Sequence, residues 1–491
     1  MTYLLRNLVL LHVLLLALFF TWVHGGTRVD LLVGVVPGLS LLLLSALVAL
    51  PPTRRGEELP AARRRVWRGI VRDPLLYIGL LLTALLTLQW ANGGRELVMD
   101  PASGRPLFSP PPWPRLPFCV VPADAIQQLY WFPPVFLAVL AVRHGVTRLG
   151  KRRLLSYLVW AGALLALLGW VQAWSGTQSL LWLTPLPAHF FASFGYDNHA
   201  GAFFTLLFAI SGGFWFQMAL DPEEGHRAGW LLIPVGLNFA GAMGSTSRAA
   251  MLLSLALLVV GGIAALLAAW RRIEIGTRVR VIAGIVLTTA ALLGAWFTVP
   301  TTMRSELNSV HAQTLYDDTI GARLLQCRSA WEMSRDYPAF GVGGWGFRQF
   351  VRFYVTPAEL QKMVGGKGQA NVHNDILQFL AEHGAVGFGL LLAAVTVMLV
   401  PTLRGAWRTL RTASPVDWEN PYVPPLLRVP AAIYAILCGT AATVIHSLID
   451  LPFRSPAILI TWALALACAP AFLPRQTQPA VANETPVDGA T

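Results

Sequence analysis

The chain has 491 residues, 55% of them hydrophobic and only 13% charged, with a mean hydropathy of +0.56. Soluble globular domains carry about 25% charged residues, so a soluble protein is excluded, and apolar runs of about 17–25 residues, each able to cross a bilayer as a helix, recur along the whole length. The formal charge of +12 would suit nucleic acid, but the basic residues sit mostly in short loops between apolar runs, where the positive-inside rule accounts for them; no nucleic-acid partner is expected.

In chain order the apolar runs are 8–23, 30–50, 74–91, 127–142, 154–173, 199–220, 229–244, 249–270, 280–299, 385–401, 430–446 and 456–473. The first follows an arginine and has the look of a signal peptide. No small-x-small cleavage site follows it and further runs do, so it reads as the first transmembrane helix. Twelve crossings put both termini on one side. With that side taken as cytoplasmic, the inner segments hold 23 of the 37 Lys and Arg, including seven in 53–72 and five in 143–153. The short outer loops hold six, and the other eight lie in one long loop, 300–384. Long loops translocate largely regardless of charge, so the bias sets both termini in the cytoplasm.

The expected class is therefore an all-α polytopic membrane protein of about 12 transmembrane helices, with one long, partly helical outer loop between helices 9 and 10. Helices 1–9 occupy 1–299, the loop 300–384, helices 10–12 385–474, and a tail 475–491. The loop carries Trp331, Tyr337, Phe340, Trp345, Phe347, Phe350, Phe353 and Tyr354, an aromatic density that predicts a folded element against the membrane. The tail, QTQPAVANETPVDGAT, has the opposite composition and is expected to be disordered. Of four cysteines, Cys438 and Cys468 fall in apolar spans and read as core residues. Cys119 and Cys327 fall in outer loops, where a disulfide is chemically allowed.

Four short stretches carry polar chemistry. GVGGWG (341–346) has the G-x-G-x-x-G spacing, but outside a βαβ unit it reads as a tight turn folding the loop back. GSTSRAA (244–250) forms the outer turn before span eight. Ser245, Thr246 or Ser247 caps that helix, whose free N–H groups and positive end suit an anion, and Arg248 adds a fork matching phosphate oxygens; the alternative is an interfacial arginine reaching for water. GARLLQCRSAWEMSRDYPAFGVGG (321–344) reads as a helix ending near Pro338, with Arg323, Arg328 and Arg335 spread around it, so one or two at most belong to a site. NVHNDILQFLAEHG (371–384) puts His373 on the inward apolar face of a helix start, with Asn374 placed to cap it. There the positive helix end favours a neutral, proton-accepting imidazole. His373 and His383 are ten residues apart and do not share a face, which argues against zinc. Asp317 and Asp318 are adjacent rather than spaced as D-x-D. No metal or cofactor is expected.

Taken together, these residues resemble a family. VHNDILQFLAEHGAVG is similar to the H-N-x-x-L-x-x-L-x-E-x-G-x-x-G signature of the O-antigen ligase and Wzy-type polymerase superfamily. The Arg323 helix leading to YPAFGVGGWGF resembles its R…P-x-x-G-x-G-x-x-F segment, FASFGYDNHAGAFF (191–204) its asparagine–histidine start of a central helix, and GSTSRAA its S-R-x-x turn. The resemblance covers roughly residues 190–400. It implies a GT-C-like glycosyltransferase that moves a glycan from undecaprenyl diphosphate to an acceptor hydroxyl without a metal. The site would face the periplasm from the bacterial inner membrane. Arg248 and Arg323 would then hold the diphosphate and His373, beside Asn374, would act as base or orient the acceptor. Arg328, Arg348, His199 and Asp450 are supporting candidates. The expected partners are the lipid-linked donor, a lipid A–core or other glycan acceptor, and membrane lipid. A ligase is preferred, with a Wzy-type polymerase as the alternative; a transporter or flippase would instead place ionisable groups near the bilayer midplane.

Overall fold

The computed structural model describes residues 7–54, 56–99, 101, 106–186, 190–221, 223–271, 279, 282, 284–286, 313–364, 370–411 and 428–474. Its principal helices are α1 (Leu8–Trp22), α2 (Val29–Ala49), α3 (Leu59–Val71), α4 (Pro74–Ala91), α5 (Phe132–Gly145), α6 (Arg148–Ser175), α7 (Asp197–Ala219), α8 (Leu232–Gly244), α9 (Arg248–Arg271), α10 (Gln313–Asp336), α11 (Pro357–Val364), α12 (Asp375–Arg411), α13 (Ala431–His446) and α14 (Pro456–Cys468). The described strands form two small antiparallel hairpins, Leu97–Met99 with Pro106–Phe108 and Ser179–Leu180 with Thr184–Pro185. Among the described residues seven helices are long and apolar enough to cross a membrane, and Leu8–Trp22, Ala431–His446 and Pro456–Phe472 are shorter apolar ones. This fits an all-α polytopic membrane protein. The ninth predicted span, 280–299, lies outside the described residues except for 282 and 284–286, as do 300–312 and the tail from 475.

Helix α7 runs through the middle of the bundle and is buried over most of its length. Lipid supplies no hydrophobic drive between helices, so close packing depends on small residues at the crossings. A Cβ on Gly213 would stand 2.2 Å from the Cβ of Ala435 in α13, and one on Gly439 would stand 2.9 Å from Ala209 in α7. On α9, by contrast, Leu252, Val259, Val260, Ile263 and Leu267 are exposed, a face suited to lipid. Cys438 is exposed on α13, correcting its expected core position; Cys468 is buried, and none of the four cysteines is paired.

Two helix ends meet at a basic face of the bundle. Asp73 caps α4, accepting from Leu75 N at 3.1 Å. Its Oδ2 lies 2.6 Å from Arg143 Nε and 2.7 Å from His144 Nε2. Arg148 and Arg152 both donate to the carbonyl of Ala471 at the end of the last described helix.

At the opposite end, α12 begins ten residues before its predicted span and is broken at Gly384, where φ is 63° and ψ −170°. The break removes the helical bonds from Ala385 and Val386 back to Ala381 and Glu382. The turn at 338–343 replaces every one of them. Ala385 N donates to Pro338 O at 2.8 Å and Val386 N to Ala339 O at 3.1 Å, while Val342 N and Gly343 N donate to Ala381 O and Glu382 O at 3.0 and 2.8 Å. The GVGGWG stretch is thus the turn expected from its sequence, with Gly341, Gly343 and Trp345 at positive φ.

The conformation at Gly384 is open essentially to glycine alone and costs about 1–3 kcal/mol elsewhere. A Cβ there would also stand 2.3 Å from Ala339 O. Gly384→Ala should therefore lower the melting temperature sharply or prevent insertion. Gly38→Ala, in α2 with nothing within 4 Å, should be neutral or slightly stabilising; scanning fluorimetry on detergent-purified protein compares the two.

Candidate functional site

The loops at the broken-helix end converge on one carboxylate. Asp450 lies between α13 and α14 and is 2% exposed. Its Oδ1 accepts from Leu451 N at 2.8 Å. The Tyr196 hydroxyl donates to it, 3.1 and 2.9 Å from the two oxygens, and Asn198 Nδ2 donates to Oδ2. Arg323 Nη2 stands 3.7 Å from Oδ2, and His373 Nδ1 stands 3.6 Å from Oδ1, an ion-pair separation longer than a hydrogen bond. Burial opposes the charge on Asp450, but His373, the Leu451 N–H and Arg323 outweigh it and hold the carboxyl at about 2. Tyr196 is pushed the other way, upward, first by burial and then by the Asp450 charge, so it stays a donor.

Each partner is placed by local structure. His373 was expected in the first turn of a helix, on its inward face; instead it precedes α12 in a left-handed conformation, φ 52°, with its side chain toward Asp450. Asn374 makes the cap: its Oδ1 accepts from Leu377 N and its Nδ2 donates to Leu448 O, both at 3.0 Å. Arg323 reaches from α10, donates to Ile449 O at 3.1 Å, and keeps 38% of its side chain exposed. Ser247 caps α9 through Ala250 N and donates to Asn198 Oδ1. That bond ties the start of α9 to the site. Arg248, the first residue of α9, is exposed and has no hydrogen-bond or ionic partner among the described residues. His199 Nε2 bonds the Leu451 carbonyl at 3.0 Å, and its ring stands edge-on to Tyr196.

Two supporting candidates lie elsewhere. Arg328 is 74% exposed and pairs with Glu332 one turn on, away from Asp450. Arg348 donates to Asn371 and stacks 3.7 Å over Trp345; burial lowers its pKa to about 10. It borders a second, deeper cluster that the sequence reading missed. There Arg454 Nη2 lies 2.7 Å from Glu382 Oε2 and Arg454 Nε 3.7 Å from Asp375 Oδ1. Tyr196 and Arg454 were likewise not singled out; Ser247 entered only as one of three capping candidates, and Asn198 and Glu382 only within the motifs of the family resemblance. The available signal was HSLIDLPFRS (446–455), a short turn holding two opposite charges between apolar runs. His383 is fully buried against Gln89 Oε1, 2.9 Å away. Among the described residues no group of three or more His, Cys, Asp or Glu could hold a metal ion.

Asp450 also generates a pH test. A carboxyl depressed in the folded state stabilises it fully above the unfolded value, about 3.9. That contribution disappears as pH falls through the folded value of about 2. Asp450→Asn should therefore melt below the parent protein at neutral pH, by about 1–3 kcal/mol for the lost charged hydrogen bonds. The two melting curves should converge between pH 4 and 2. A gap that persists at the acid end would mean that the carboxylate charge is not what holds these loops.

Sequence comparison adds one finding. Residues 233–392 match the family model described as O-Antigen ligase. No curated protein matches the chain. The matched stretch holds Arg248, Arg323, His373, Asn374 and Glu382, while Tyr196, Asn198, Asp450 and Arg454 come from segments on either side of it. Over residues 233–392, about a third of its length, the chain is similar to the O-antigen ligase family, and this match supports the O-antigen ligase/Wzy superfamily.

Proposed function

We propose that the protein is an O-antigen ligase-type glycosyltransferase, moving a glycan from undecaprenyl diphosphate to an acceptor hydroxyl on a lipid A–core sugar. The observation that carries this reading is the pairing of His373 Nδ1 with buried Asp450 beside the partly exposed Arg323. A carboxylate on one imidazole nitrogen orients the ring, leaves the other nitrogen to take a proton, and stabilises the imidazolium that results. In the step proposed, the acceptor oxygen attacks the anomeric carbon and its proton passes to His373. The bond from that carbon to the diphosphate oxygen breaks, and the lipid diphosphate leaves with the electron pair. Arg323, with Arg248 at the positive end of α9, neutralises the developing charge, so no metal is required.

The family match supports a lipid-linked glycan substrate and a membrane setting. The basic end of the bundle, carrying Arg143, Arg148 and Arg152, supports the assignment of that end, and both termini, to the cytoplasm and of the site to the periplasmic face of the inner membrane. A Wzy-type polymerase would use the same donor with a second lipid-linked glycan as acceptor, so offering both acceptors to the purified protein separates the two.

The test of the chemistry is transfer from a radiolabelled undecaprenyl-diphosphate glycan, in chelator. His373→Ala should keep donor binding and lose about 10²–10⁴-fold in rate, and His373→Gln should fail similarly, since an amide cannot take the proton. Substantial turnover by the glutamine variant would eliminate the base role.

Arg248→Ala and Arg323→Ala should each weaken donor binding, by on the order of 2–5 kcal/mol for a desolvated charged contact. Lysine should restore only part, lacking the bidentate fork. Donor affinity unchanged in both alanine variants would place the diphosphate elsewhere.

A further inference from the structure

The deeper cluster joins the two segments that carry His373 and Asp450. Arg454, four residues after Asp450, is 7% exposed and pairs at 2.7 Å with Glu382, which is fully buried. The other Glu382 oxygen accepts from Gln378 Nε2 at 2.9 Å. Gln378 Oε1 in turn accepts from Val372 N at 3.0 Å. Val372 is the residue before His373, so this chain of bonds ends on the backbone that must turn left-handed to aim the imidazole.

A second strand of contacts runs in parallel. Asp375 N donates to Ser447 O at 2.9 Å, and Asp375 Oδ2 accepts from Phe453 N at 2.8 Å. Arg454 also covers the ring of Trp345 at 4.5 Å, holding the GVGGWG turn to the same point. Buried ion pairs add little net stability over apolar side chains of the same shape. Their geometry, unlike that of an apolar contact, is directional, and here one direction runs through Gln378 to Val372 N, beside His373, while Arg454 itself stands four residues after Asp450.

We propose that Glu382 and Arg454 are positioning residues for transfer: the buried Arg454–Glu382–Gln378 chain sets His373 against Asp450 without touching substrate. The proposal rests on the transfer reading above. A misplacement of about 1 Å far from the chemistry costs on the order of 10²-fold in rate, and a residue acting only through His373 has nothing left to act on once His373 is gone.

The experiment is a double-mutant cycle on full-length protein, with labelled undecaprenyl-diphosphate glycan as donor. Glu382→Gln, which keeps the shape and removes the charge, should lower kcat by about 10²-fold with the donor KM unchanged. Introduced into His373→Ala, the same substitution should change the residual rate by less than about threefold. Equal losses in the two backgrounds, or a raised KM with unchanged kcat, would overturn the proposal while leaving the transfer reading intact. A fully active His373→Ala would overturn both. Should Glu382→Gln fail to insert, Gln378→Met breaks the same chain at Val372 N–H, and the cycle is run with it.

Discussion

A membrane helix cannot be interrupted in hydrocarbon unless other groups take up the hydrogen bonds that the interruption frees. The break at Gly384 obeys that constraint strictly: two amides and two carbonyls of α12 are satisfied by the backbone of 338–343. Gln89 Nε2 adds donors to Phe340 O and Glu382 O. The aromatic segment from Pro338 onward is therefore docked by main-chain bonds, not only by its buried side chains such as Phe347 and Phe350. Trp345, at the end of that docked turn, lies under the Arg454 guanidinium and so links the turn to the charged cluster.

Asp450 shows how such a frame gathers polar groups. A buried carboxylate is costly unless several donors meet it. The groups that meet it come from three different parts of the chain: the donors Tyr196 and Asn198 at the start of α7, the donor Leu451 N next to Asp450 itself, and the ion-pair partners Arg323 and His373 from residues 313–373. The requirement to satisfy one charge thus brings distant segments to one point. It leaves Arg323 partly exposed and His373 half-buried.

Asp450 and Arg454 occupy one short turn and serve different ends. Asp450 faces the histidine and the open arginine, whereas Arg454 faces inward to Glu382 and Asp375. Four residues separate the charge that faces His373 from the one that faces Glu382. Adjacent polar residues in a short membrane turn need not share a role, and which of them reaches the site depends on the direction each side chain takes from a tight backbone.

The apolar runs were legible because hydrophobic length reports directly on the bilayer, and eleven of the twelve runs coincide with described helices. The cap at Asn374 and the turn at GVGGWG were legible too, since capping and positive-φ turns are local chemistry written in adjacent residues. The side chain direction of His373 was not. Helical periodicity put it on a buried face, but the helix starts two residues later and the backbone before it turns left-handed, held by Gln378. Nor did the sequence single out Glu382 or Arg454, or make Asp450 the centre of the site. Residues 382 and 454 are 72 positions apart, and a pair that far apart leaves no periodic trace. Sequence alone determined which runs are apolar enough to cross a membrane and which residue types could carry chemistry. Only tertiary structure decided which of them meet, because a buried charge is satisfied by whatever the fold brings within hydrogen-bonding reach.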